Sequence, residues 1–141
     1  MLRRIALGMS LLTVLALAGT AFAGNSAGPK KTSSSINLML MNQAGTTTAT
    51  SAPRWGDTVT FVVSTTATTQ PAVVADCFQN GALVYRHYGF FYGDWSPSRN
   101  FVLQSYGWTG GAADCTATLY YMNPTKGTEV NLATLPFHVD A

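Results

Sequence analysis

The chain has 141 residues with eight basic and six acidic side chains, a formal charge of +2. Arg3 and Arg4 account for that excess, so the remainder carries six charges of each sign and is neutral. Dense positive charge, the main drive toward nucleic acid or an anionic membrane surface, is missing, and neither is expected as a partner.

Arg3 and Arg4 precede an apolar run over 5–18 and a small-x-small end at Ala21-Phe22-Ala23, the pattern of a secretory signal peptide over 1–23. At about fourteen residues the run is short of the roughly twenty that cross a bilayer, so cleavage rather than anchoring is expected. The protein is expected outside the cell, with no membrane insertion after cleavage. Residues 24–35, Gly-Asn-Ser-Ala-Gly-Pro-Lys-Lys-Thr-Ser-Ser-Ser, lack apolar periodicity and read as a flexible polar arm. The rest, 36–141, is enough for one domain.

Within that domain, apolar and polar residues alternate in short runs punctuated by Gly, Pro and Asn, which predicts an all-β sandwich. Strands are expected at 36–41, 58–66, 72–78, 82–88, 99–105, 112–122 and 128–135. Seven strands in about a hundred residues is the size of an immunoglobulin-like domain. Ile36, Leu38, Leu40, Val59, Phe61, Val63, Phe101 and Leu103 are the expected inward residues of the first, second and fifth strands. In the sixth, Ala113, Cys115, Ala117, Leu119 and Tyr121 share the core face, while Asp114, Thr116, Thr118 and Tyr120 share the other. Val73, Ala75 and Cys77 likewise face inward, with Asp76 outward.

The hairpin after Cys77 poses a register problem. A two-residue Asn80-Gly81 turn would pair Cys77 with Val84 and drive Arg86 into the core. A three-residue loop with Gly81 as a bulge glycine instead pairs Cys77 with Leu83 and Ala75 with Tyr85, turning Leu83 and Tyr85 inward and Arg86 outward. This second register is the expectation.

Two cysteines in a secreted chain predict a disulfide, Cys77–Cys115. Cys77 falls on the third strand, not the second as in antibody domains, and Cys115 on the sixth. Third and sixth strands are neighbours in one sheet, so the bond is expected to join adjacent strands rather than the two sheets. Trp55 and Trp108 precede strands, away from the antibody tryptophan position. Trp108 with Thr109-Gly110-Gly111 reads as a ring packed over a tight turn.

Nine of the fifteen aromatic residues after the leader fall between positions 85 and 108. The segment Tyr88-Gly-Phe-Phe-Tyr-Gly-Asp-Trp-Ser-Pro is too rich in Gly and Pro for one regular strand. Its rings either plug an end of the sandwich or, as Phe90, Phe91, Tyr92 and Trp95 beside Arg99, form a ligand surface for sugar rings or a protein partner. No cofactor or metal is expected, since His87 and His138 lack ligand spacing with any other residue. Catalysis would fall to Asp76 or Asp114 as the base of a small hydrolase, for which so short a chain provides little cleft.

The stretches Trp55-Gly-Asp-Thr-Val-Thr-Phe, Cys77 followed by Gly81, and Trp108-Thr-Gly-Gly-Ala-Ala-Asp-Cys-Thr-Ala-Thr-Leu-Tyr-Tyr resemble secreted bacterial immunoglobulin-like domains. The short, single-domain kind met in actinobacteria is the most similar. The likeness spans 36–140 and implies the sandwich fold but no active site. The expectation is a monomeric, non-catalytic extracellular module that binds a protein or polysaccharide or serves a structural role at a surface. A carbohydrate-binding module using Tyr92 and Trp95 is the sharper alternative.

Overall fold

The computed structural model describes residues 32–41, 47–48, 52–94 and 96–141, so the expected leader, most of the arm and Trp95 lie outside the described residues. The described chain is a two-sheet β-sandwich of eight strands: β1 Ser34–Met41, β2 Thr47–Thr48, β3 Thr58–Thr65, β4 Ala72–Gln79, β5 Ala82–Phe90, β6 Phe101–Val102, β7 Ala113–Asn123 and β8 Thr128–Val139. One sheet runs β2-β1-β3-β6 and the other β5-β4-β7-β8, with every pairing antiparallel. With the two-residue β2 set aside, the orders are first-second-fifth and fourth-third-sixth-seventh. That is immunoglobulin-like connectivity with the fourth strand moved beside the third.

The alternation in the sequence sets which side chains meet between the sheets. Val59, Phe101 and Leu103 from one sheet face Val73, Ala75, Ala117 and Leu119 from the other, all at 0% exposure. Phe61 meets Phe101 edge-on with ring centroids 4.9 Å apart, a preferred aromatic geometry. Leu38, Leu40 and Val63 pack half-buried at the margin. Trp108 is the largest fully buried side chain. Its indole N–H donates to the Gly111 carbonyl at 3.0 Å, and Gly110 and Gly111 both take positive φ, 138° and 84°. The corner expected at this position is present, and glycine is what allows the chain to reverse under the ring.

β4 and β7 are the inner strands of the second sheet, and Cys77 lies directly opposite Cys115 in their ladder, the Cα atoms 4.0 Å apart. The disulfide therefore joins adjacent strands of one sheet, and both cysteines are buried.

The β4–β5 register differs from the one the sequence suggested. Asn80 and Gly81 take φ of 50° and 81°, so the turn is the two-residue kind with left-handed central residues, whose twist matches that of the strands. The ladder starts at Gln79↔Ala82 and Phe78↔Leu83, then jumps to Cys77↔Tyr85, leaving Val84 as the extra residue of a bulge. Leu83 is consequently exposed and Tyr85 buried, while Arg86 points outward opposite Asp76. The cost of an inward arginine is avoided by a bulge inside the strand rather than at the turn. The freed Val84 carbonyl accepts a hydrogen bond from the Ser105 hydroxyl.

Several boundaries also move. β1 begins at Ser34, inside the expected arm; β5 and β8 continue to Phe90 and Val139; and the expected strand at 99–105 shrinks to Phe101–Val102 after a 3-10 turn at Ser96–Arg99. Tyr120, expected on the outer face, lies there opposite Ala72 but is buried, because neighbouring rings cover it. No helix among the described residues is long and apolar enough to cross a membrane.

Two stability measurements follow from this packing. Replacing both cysteines by alanine opens a 38-residue loop, for which chain entropy predicts a loss of about 4 kcal/mol in the unfolding free energy measured with urea. The Tyr85 hydroxyl is buried without a hydrogen-bond partner, so Tyr85→Phe is expected to raise stability by about 1 kcal/mol. A loss of stability on that substitution would show that the hydroxyl is satisfied in solution.

Candidate functional site

The outer face of the second sheet carries the densest set of exposed rings among the described residues. After the Val84 bulge, Arg86, Tyr88 and Phe90 of β5 alternate onto this face, opposite Asp76, Val74 and Ala72 of β4. The small side chains of Ala72 and Val74 leave room, and the larger rings stand over them. Tyr88, Phe90 and Tyr92 are 44, 46 and 40% exposed. Phe90 and Tyr92 meet with ring centroids 5.8 Å apart and planes at 63°.

Tyr120 of β7 forms the floor of this cluster. Burial raises its phenol pKa above the usual tyrosine value, and the charges of Glu129, Tyr88 and Tyr92 act in the same direction. Farther along the sheet, Asp76 and Arg86 form a bidentate pair with N–O distances of 2.7 and 2.8 Å, which side-chain hydrogen bonding and charge make mutually reinforcing. Beyond it stand Phe78 and Leu83, also exposed and directly paired.

The residues singled out from the sequence separate into different environments. Phe90 ends β5 and Tyr92 follows it, both exposed, whereas Phe91 is half-buried against the core. Alternation explains the split: Gly89 lies on the inner face with its backbone so close to the Phe101 ring that a Cβ there would sit 2.6 Å from it. Arg99 is a staple for this loop. Its guanidinium donates to the Gly93 carbonyl at 2.6 Å and to the Phe90 carbonyl at 3.4 Å, and lies 5.8 Å from the Phe91 ring centroid. Trp95, between these anchors, lies outside the described residues.

Comparison with known proteins returns nothing. No protein-family model, curated protein or solved structure matches this chain.

The candidate hydrolytic carboxylates both lie on the outer face and both have partners. Asp76 is engaged by Arg86. Asp114 sits opposite His138 in the β7–β8 ladder, 2.7 Å from its Nδ1, and His138 also lies 3.8 Å from Asp140. Among the described residues, no group of three or more His, Cys, Asp or Glu side chains is placed to hold a metal. His87 stands apart on the inner side of β5, stacked on Tyr85 at 6.3 Å and edge-on to Phe101 at 5.1 Å.

Burial lowers the His87 pKa below the ordinary histidine value. The folded state thus favours the neutral ring, while the unfolded chain takes up a proton near pH 6.5. Stability is expected to be full above that value, to fall as pH drops through it, and to level off below the lowered native pKa. Thermal midpoints measured from pH 8 to pH 5 check this, and His87→Gln is expected to flatten that part of the profile.

Proposed function

We propose that the chain is a secreted, non-catalytic binding module of immunoglobulin-like form, and that the outer face of the second sheet is its contact surface for another extracellular protein. The observation that carries this reading is the gathering of Tyr88, Phe90 and Tyr92 in the open over a buried Tyr120. Rings of this size are normally buried, and a row of them left in water costs free energy that contact with a partner recovers. Tyrosine, phenylalanine, methionine and arginine are the side chains enriched at protein interfaces, and lysine and glutamate are depleted there. Apart from Glu129, which pairs with Met122, the face fits that composition, with Met122 two residues beyond Tyr120 and Arg86 already neutralised by Asp76. Neutralising the arginine within the chain lets it be covered without stranding a charge.

The leader-like segment supports an extracellular setting, and the disulfide suits an oxidising one. A polysaccharide surface is the less favoured reading. A flat glycan stacks best on coplanar rings, whereas Phe90 and Tyr92 lie at 63° to each other, a shape suited to the relief of a protein.

Photo-crosslinking tests the reading. A benzoyl-phenylalanine placed at position 90 is expected to capture a discrete protein from the producing cell's secreted and envelope fractions, and unlabelled protein should compete. The same probe at Val62, exposed on the other sheet, should capture none. Tyr88→Ala should weaken capture while changing stability by no more than about 1 kcal/mol. Capture unaffected by Tyr88→Ala, or retention on insoluble polysaccharide that depends on Tyr92, would overturn it.

A further inference from the structure

We propose that the opposite end of the sandwich carries a second site, a groove between Trp55 and Tyr106 that takes a neutral sugar ring of a glycan. The groove is shallow and open to solvent, offers about 620 Å³, and is lined by Trp55, Gln104, Ser105, Tyr106, Trp108 and Thr109. That volume lies within the roughly 300–1,000 Å³ typical of small-ligand sites. Its walls stand at the end where β7 begins and β8 finishes, whereas the tyrosine cluster lies near the other end of the same strands.

Two tight turns of different backbone type carry the rings, since Gly56 takes positive φ and Gly107 does not. In Arg54-Trp55-Gly56-Asp57 the Asp57 amide donates to the Arg54 carbonyl at 3.0 Å, the Asp57 carboxylate accepts from the Arg54 amide at 2.8 Å, and Gly56 takes φ of 88°. Positive φ at the third position is what such a turn needs. In Ser105-Tyr106-Gly107-Trp108 the Trp108 amide donates to the Ser105 carbonyl at 3.1 Å. Each turn thus carries an aromatic residue second and a glycine third.

Both turns are fastened to the body of the fold. The Trp55 indole N–H donates to the Trp108 carbonyl at 2.9 Å, its backbone amide to Asp140 at 2.9 Å, and the Gly56 amide to Leu103 at 2.9 Å. Ser105 accepts from the Gly107 amide and donates to the bulged Val84 carbonyl. The Trp55 indole, tied through its N–H, loses little freedom when a ligand arrives. Trp55 is 38% exposed, and Tyr106 is as exposed as in an extended peptide, at 107%.

The lining chemistry selects the ligand. None of the six lining residues is charged, so neither a phosphate nor a carboxylate finds a counter-ion among them. Two open aromatic rings offer stacking surface for the C–H face of a pyranose. The Gln104 amide and Thr109 hydroxyl at the same groove offer neutral donors and acceptors for ring hydroxyls. The Trp55 N–H is already engaged, so the indole contributes its face.

Titration of the secreted protein with cellohexaose and with chitohexaose, followed by tryptophan fluorescence and by the indole N–H resonances, tests the proposal. Saturable binding of at least one is expected, weakened about tenfold by Tyr106→Ala, the loss of one stacking contact, with the thermal midpoint unchanged. Tyr88→Ala should leave that affinity unaltered, which separates this site from the outer face. No saturable response to either oligosaccharide, equal affinity in Tyr106→Ala, loss of binding in Tyr88→Ala, or tighter binding of polygalacturonate would each overturn it.

Discussion

The pairing of β4 with β7 governs the rest of the molecule. In this ladder every residue of β4 from Ala72 to Phe78 has a fixed partner, and the Cys77–Cys115 bond locks it against sliding. A one-residue slip would turn over one strand relative to the other, moving either Asp76 of β4 or Asp114 and Thr116 of β7 into the core. With the register pinned, Val73, Ala75, Ala117 and Leu119 have one place to go, and the opposite sheet packs onto them. The outer-face positions of β4 and β7 are settled by the same event, because residues between the core positions must point away. Core and proposed contact surface are two sides of one pairing.

The division of labour between the strands follows from side-chain size. β4 contributes small residues to the outer face at Ala72 and Val74, and β5 and β7 contribute rings that lean over them. Tyr120 is buried on a nominally solvent-facing position through this overlap, and its covering leaves Tyr88, Phe90 and Tyr92 raised above the sheet. Few charges interrupt the face, and the bidentate Asp76–Arg86 pair neutralises two of them within the fold. A low-charge surface of this kind is tolerable in water when hydroxyl and amide groups fill the remainder, as the many threonines and asparagines of the chain do.

Much of the architecture was legible in the alternation alone. The inward residues of β1 and β3, those of β7 as far as Leu119, and the in-sheet disulfide follow from period-two patterning plus the parity of Cys77 and Cys115, whereas Tyr121, expected inward, is half-buried outside the core cluster. What could not be read was where a strand breaks period. Val84 is an ordinary strand residue with no local mark of a bulge; only the conflict between an inward Arg86 and the Asn80-Gly81 turn exposed the problem, and the solution lay inside the strand rather than beside Gly81. The aromatic segment was legible as a cluster but not as a partition, because the inward turn of Phe91 and the stapling by Arg99 depend on contacts with core and loop. The groove at Trp55 and Tyr106 was invisible for a different reason. Its two aromatic-glycine turns lie some fifty positions apart and meet because β3 and β6 pair, with Leu103 bonded to both Gly56 and Asp57. A leading signal was nevertheless present, since an aromatic-glycine pair recurs at Trp55-Gly56 and Tyr106-Gly107.

The Val84 bulge has a last consequence at the lateral rim of the second sheet. β5 is an outermost strand, and a long, straight, ring-rich rim is a template on which further chains can polymerise. Here the rim is interrupted near both ends: the Val84 carbonyl is occupied by Ser105, and the Phe90 carbonyl by Ser98 and Arg99. The extra twist of the bulge shortens the flat stretch still further. The module can therefore display apolar rings at high concentration while denying neighbouring copies the continuous backbone ladder from which fibrils grow.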